Sequence, residues 1–202
     1  IPSSSMEPNL LVGDRLFVSK YSYGYSKHSF PFSLGPIKNR IFFSEPERGD
    51  VIVFKTPADN RTDYIKRLIG LPGDEIQFVE GEIIINGKRI SREETFISDT
   101  IRCGNFTLNT KTFIETLPNG VQHLASYNKK GSLQNTKKFL VPDGHYFLMG
   151  DNRDCSKDSR YLNDVGYVKK LNLVGKAKII FFSNDTFKGS LLKFWNLSNS
   201  FR

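Results

Sequence analysis

Cysteine, histidine, methionine and tryptophan are all scarce in this 202-residue chain, which has two Cys, three His, two Met and one Trp. Cys103 and Cys155 stand far apart, in neither zinc-ligand spacing nor a CxxC redox pair, and the residues alone leave open whether they pair or stay as thiols. His28, His123 and His145 form no HExxH or other ligating pattern, so neither a metal nor another cofactor is expected. No apolar run approaches the ~18–20 residues that span a bilayer. No signal peptide is visible, and the chain opens on Ile1 without an initiator methionine, which reads as a fragment or processed form with an anchor removed upstream. Repeats and low-complexity tracts are absent too, which excludes a solenoid.

What remains is a globular composition. Hydrophobic residues make up 38% and aromatics 13%, enough to build a core and too apolar for a disordered chain. Lysine and arginine exceed acids to give a formal net charge of +8. Such a surplus serves a solvated face as readily as an anionic partner, either nucleic acid or a lipid surface.

Strand signals dominate the chain. Val51 to Phe54 is a β-branched run entered from Arg48-Gly49-Asp50, and Tyr64 to Ile69 is another, closed by Leu71-Pro72-Gly73-Asp74. Ile76 to Val79 and Glu82 to Ile85 read as a hairpin across Glu80-Gly81, and Asn86-Gly87 turns Lys88-Arg89-Ile90 back antiparallel. Later strands are His145 to Met149 and Lys176 to Phe182. The only helix signal is a short capped segment at Ser91-Arg92-Glu93-Glu94. The expected fold is mostly β, built of coiled antiparallel sheets. A catalytic core over 1–90 and 141–202 would carry a smaller inserted β subdomain over 91–140, a polar stretch with no assignable motif.

Three segments carry candidate chemistry. The first is Pro2-Ser3-Ser4-Ser5-Met6-Glu7-Pro8, which in isolation reads as a serine-rich turn. The second is Asp63 to Asp74, where strand alternation puts Tyr64, Lys66 and Leu68 on one face and Ile65, Arg67 and Ile69 on the other. A lysine held between an aromatic and a leucine is desolvated, which lowers its pKa toward that of a base, unless it snorkels to water. The third is Met149 to Arg160, a loop of alternating carboxylates and guanidiniums directly after a strand, suited either to a surface turn or to holding a buried lysine. Ser126-x-x-Lys129 and Ser190-x-x-Lys193 match the SxxK of penicillin-binding enzymes, but no SDN or KTG accompanies them.

Together these segments resemble the bacterial type I signal peptidases. That family has, in order, a PSxSMxPTL segment, an RGD-led strand, YIKRxxGLPGD and GDNRDxSxDSR. The counterparts here are Pro2 to Leu10 (with Asn9 for threonine), Arg48 to Asp50, Tyr64 to Asp74 and Gly150 to Arg160, where Cys155 stands in the place of an asparagine. The resemblance implies a Ser–Lys endopeptidase with Ser5 as nucleophile, Lys66 as general base and an oxyanion hole made by the Ser5 N–H and the Ser3 hydroxyl. It places Ser156 as the group that orients the lysine amine and Asp151, Asp158 and Arg160 as its supporting ion pairs. Arg67 is expected to join that shell from the opposite face of its strand. Ile1, Pro2, Met6, Leu10, Tyr64 and Ile65 would line shallow pockets for the small residues of a signal peptide, bound extended along a strand edge. Phe30, Phe32 or Trp195 could dip into an anionic phospholipid membrane.

By the same resemblance the partners are preprotein signal peptides and that membrane. The location is the bacterial inner membrane with the catalytic domain on the periplasmic side, and a monomer is expected. A self-cleaving Ser–Lys repressor protease would need an N-terminal DNA-binding module and a cleavage linker, neither visible in these residues, and it would not explain the Gly150 to Asp154 segment. A nucleic-acid module would need an ordered platform of stacking aromatics near Lys129-Lys130 or Lys137-Lys138, and none stands near them, so no nucleic-acid partner is expected.

Overall fold

The structure, a computed structural model, describes residues 1–30, 37, 39–97, 100–128 and 134–183, and the backbone of 195–196. Expectations resting on Phe32, Lys129, Ser190 and Lys193 fall outside the described residues, as do the side chain of Trp195 and part of the basic clusters.

In chain order the first strands are β1 (Arg15–Ser19), β2 (Val51–Lys55), β3 (Asp63–Gly70), β4 (Glu75–Val79), β5 (Glu82–Ile85) and β6 (Lys88–Arg89). There follow β7 (Ser91–Thr95), β8 (Thr100–Cys103), β9 (Phe106–Thr116) and β10 (Gln122–Asn128). The last are β11 (Phe139–Leu140), β12 (His145–Met149), β13 (Val168–Lys169), β14 (Leu173–Phe182) and β15 (Trp195–Asn196). A seven-stranded sheet runs β1-β14-β2-β3-β12-β13 with β15 beside β14, a second sheet runs β10-β9-β7 with β8 also on β9, and a third runs β11-β4-β5-β6. All pairings between these strands are antiparallel. The strands of the second sheet all come from residues 91–128, and Phe139–Leu140 returns to β4. No helix among the described residues is long and apolar enough to cross a membrane.

The turns follow their residues. Glu80-Gly81 and Asn86-Gly87 both take positive φ at both central positions, the geometry whose twist matches that of paired strands. The Ser91–Glu94 helix signal is overruled: these residues form β7, in register with Ile114–Thr116 and Phe113 of β9. Propensity is a weak prior, and here cross-strand pairing wins, with the Arg92 guanidinium 4.8 Å from the centre of the Phe113 ring. Strand β14 starts three residues earlier than its apolar run. At Gly175 the Ser19 carbonyl oxygen would lie 2.4 Å from any Cβ, so only glycine lets β1 approach there.

Three apolar clusters fill the space between sheets. One joins Ile69, Phe147 and Met149 to the hairpin residues Ile76, Phe78, Ile83 and Ile85. A second gathers Ile52, Phe54, Leu68, Tyr146 and Leu148, with Tyr64 at its edge. The third, Met6, Leu10, Val51, Ala177 and Ile180, with Ile1, Leu16 and Ile65 at its margin, clamps the serine turn onto the main sheet. Burying Met6 and Leu10 completely is what docks an otherwise polar N-terminal segment, at about 1.5–3 kcal/mol for each side chain.

Candidate active site

Ser5 sits in a turn closed by hydrogen bonds from the Glu7 N–H to the Ser4 carbonyl (3.0 Å) and from the Leu10 N–H to the Met6 carbonyl (3.0 Å). Strand β3 brings Lys66 to it: Lys66 Nζ donates to Ser5 Oγ at 2.6 Å and to its own neighbour's carbonyl, Ile65 O, at 3.1 Å. Both side chains are sealed, Ser5 at 7% exposure and Lys66 at 3%, so the lysine does not snorkel to water. The Tyr64 ring forms one wall, its centre 5.4 Å from Nζ. Burial lowers the Lys66 pKa from 10.5 to about 8. The Asp158 and Asp151 carboxylates oppose that fall and the Arg160 charge assists it. Ser3 Oγ lies 3.3 Å from Ser5 Oγ.

Around this pair runs a buried ionic frame. Asp151 accepts from Arg67 Nε (2.8 Å), Arg67 Nη2 (2.7 Å) and Asn9 Nδ2 (2.7 Å). Arg67 also donates to the Gly49 carbonyl at 2.9 Å, which ties the RGD turn to the frame. Asp158 accepts from Arg160 Nε and Nη2, both at 2.8 Å, and from the Gly150 N–H at 3.0 Å. For both aspartates burial pushes the pKa up, but the arginine charges and hydrogen bonds outweigh it and hold both carboxyls below their ordinary value. Arg48, the other cation of the RGD turn, pairs with Asp74 of the Leu71–Asp74 turn at 2.8 Å.

The Ser156 hydroxyl is buried but, among the described residues, makes no hydrogen bond of ordinary geometry, to Lys66 or to another group. It still lies near enough to Asp158 to favour that group's ionised form. Its position relative to Ser5 is fixed by Gly150, where a Cβ would fall 2.2 Å from Ser156 Oγ and 2.4 Å from the Ser5 carbonyl oxygen. Of the expected pocket residues, Pro2 is exposed and Ile1, Tyr64 and Ile65 are half-buried. Met6 and Leu10 have no exposed surface and lie beneath the site rather than on its wall. Strand β3 pairs with β2 along Asp63–Arg67 but with β12 only from Arg67 to Gly70. Among the described strands none covers the second edge of residues 63–66. A separate groove of about 420 Å³ is lined by Val53, Lys55, Asp63, His28 and Phe30, among others, and includes neither Ser5 nor Lys66.

Sequence reasoning missed the partners supplied by the second sheet. Glu115, fully buried, accepts from Arg153 Nη1 (2.9 Å) and Nη2 (2.7 Å) and from the Tyr127 hydroxyl, with His123 Nε2 at 3.2 Å. Burial raises the Glu115 pKa, but Arg153 and its other partners bring it down to about 2. Arg67 pairs with Asp151 and Arg160 with Asp158, while Arg153 pairs with Glu115 rather than with Asp154 of its own loop, so no count of charges within the motifs pointed to Glu115. Cys103 and Cys155, left open by spacing, form a disulfide with 5.5 Å between Cα atoms. Among the described residues, no three His, Cys, Asp or Glu side chains gather as a metal site.

Comparison with known proteins identifies the family of the chain. A family model described as signal peptidase, peptidase S26, matches residues 1–182. Signal peptidase I of Rickettsia typhi is 44% identical over 195 residues, covering 91% of this chain and 70% of that protein. The Rickettsia conorii enzyme of the same name is also 44% identical, over 196 residues, with the same shares covered. A crystal structure of a signal peptidase I from Enterococcus faecalis is similar at 31% identity and a TM-score of 0.38, over 66% of this chain and 97% of that one. On the extent of the family match and the identity to these relatives, the chain belongs to the signal peptidase family, peptidase S26.

Proposed function

We propose that this protein is a membrane-associated serine endopeptidase that removes signal peptides from exported preproteins through a Ser5 acyl-enzyme, with Lys66 as general base. The observation that carries the reading is the 2.6 Å contact between Ser5 Oγ and a Lys66 amine that burial keeps near pKa 8. At mildly alkaline pH the neutral amine takes the Ser5 proton as Oγ attacks the scissile carbonyl. The Ser5 N–H and Ser3 hydroxyl hold the oxyanion, a donor of this kind being worth about 10²–10³ in rate. The lysine then protonates the leaving amine, and in the second half it deprotonates the water that hydrolyses the ester. Ser156, buried beside Asp158, serves as the hydrogen-bond partner that aims the amine. Asp151, Arg67, Asp158 and Arg160 keep the loop and strand in place. They form no covalent bond.

The substrate lies extended along the uncovered edge of β3. Its small side chains enter the shallow surface between Ile1, Pro2, Tyr64 and Ile65, which is too closely floored by Met6 and Leu10 to admit larger ones. Residues 91–140 act in this reading as an insertion into a catalytic core of 1–90 and 141–202. The basic surplus and the exposed Phe30 favour an anionic lipid surface, with the catalytic domain on its periplasmic side.

Cleavage of a preprotein in detergent by the parent, Ser5→Ala and Lys66→Ala tests the assignment. Each variant is expected to lose at least about 10³ in kcat/KM. A near-parental rate in either one sinks it. Lys66→Arg should be equally inactive, because a guanidinium stays charged.

A further inference from the structure

We propose that the Cys103–Cys155 disulfide is a positioning device of the catalytic centre: it pins the loop that carries Ser156 to the end of β8 and so holds that loop against the Ser5 turn. This rests on the Ser5–Lys66 reading and adds to it a covalent tie from the second sheet.

Three segments meet at Asn152. Its backbone N–H donates to the Ser5 carbonyl at 3.1 Å, and its side-chain amide donates to the Ser4 carbonyl (3.1 Å) and to the Arg102 carbonyl (2.9 Å). On the other side of Arg102, its N–H donates to the buried Glu7 carboxylate, two residues past the nucleophile, at 3.1 Å. Thus the tip of β8 touches both the serine turn and the loop, and the disulfide joins the very next residue, Cys103, to the residue preceding Ser156. Strand β8 is four residues long and, among the described strands, pairs only with β9. Hydrogen bonds to so short an edge strand are individually modest and open readily, whereas a covalent link does not.

The site has little slack. Gly150 leaves no room for even a methyl group between Ser156 Oγ and the Ser5 carbonyl, so the loop and the serine turn are in direct contact. A shift of the loop by a fraction of an ångström would misaim Ser156 and admit water to Lys66, whose low pKa depends on burial. Both cysteines are half-buried, so the bond is within reach of a small reductant in the folded protein.

The test compares Cys103→Ser, Cys155→Ser, the double variant and the parent on a signal-peptide substrate, reading kcat, KM and the pH profile. All three variants are expected to lose about 10-fold in kcat with KM nearly unchanged. The pH of half-maximal kcat should move up by about half a unit or more as the lysine rehydrates. Dithiothreitol, which opens the bond to two thiols while closing to its own cyclic disulfide, should reproduce the change in the parent and leave the double variant unaffected. Parental kcat and pH profile in the variants, or a defect in Cys155→Ser that Cys103→Ser does not share, overturns the proposal. If the variants do not fold, the folded parent with its disulfide reduced decides: unchanged turnover refutes the tie. Residual cleavage by Ser5→Ala would instead sink the Ser–Lys reading, while the disulfide comparison would still stand.

Discussion

Lys66 costs the folded protein stability. Its pKa falls from 10.5 in an open chain to about 8 when folded, so the folded state binds fewer protons between those values. The penalty is full below pH ~8 and vanishes as pH rises past ~10.5. Lys66→Met should therefore be inactive yet about 1–3 kcal/mol more stable at pH 7, with the advantage fading toward pH 10 in urea titrations. Equal or lower stability would mean that the amine is hydrated in solution. Gly150 is the opposite case, a residue whose absence of a side chain is the function. Gly150→Ala must push apart Ser156 and the Ser5 carbonyl, so it should abolish turnover and cost about 1–3 kcal/mol. A fully active Gly150→Ala enzyme would show that the contact can relax freely.

Among the elements, strand β9 has the least obvious role. It belongs to the polar stretch that carries no motif, yet its Glu115 is the third carboxylate of the ionic frame. Glu115→Gln leaves the buried Arg153 charge unpaired and should destabilise the protein by about 3–5 kcal/mol, measured by chemical denaturation. A change below 1 kcal/mol would indicate that water reaches the pair. Much of the local fold was legible because turn residues and strand periods carry it: Asn86-Gly87 could hardly do anything else, and β3 alternates as its residues require. The strand Ser91–Thr95 was not, since only its partner β9 makes it a strand. The frame was half legible for the same reason. Arg67 and Asp151 sit within recognisable segments, whereas Glu115, His123 and Tyr127 are marked by nothing local. Asn9 looked like a mere departure from a pattern until its amide was seen to hold Asp151 and the Leu124 carbonyl.

For the molecule as a whole, these buried groups fix how stability follows pH. His28 and His123 have pKa values lowered by burial, so the unfolded chain takes up protons first, and stability falls as pH drops below ~6.5. Asp151, Asp158 and Glu115 have depressed values, and their contribution is present above ~4 and lost as pH falls toward 2. Thermal midpoints should thus decline in two stages, first between about pH 6.5 and 4 and then more steeply below 4. A flat profile down to pH 4 would contradict neutral burial of the histidines. The main sheet reaches the serine turn through Lys66 and the second sheet through Leu124 and Arg102, with Met6 and Leu10 fixing the turn from below and Asn9 and Asn152 from the side.

All of this turns on whether the buried amine at Ser5 is the base. The direct measurement is the pH dependence of kcat/KM on a signal-peptide substrate, for the parent and for Lys66→Ala. The parent rate should rise with pH and reach half its maximum near pH 8, and Lys66→Ala should show no such rise and almost no turnover. A parent profile centred near 6.5, or one that survives in Lys66→Ala, would show that another group takes the Ser5 proton.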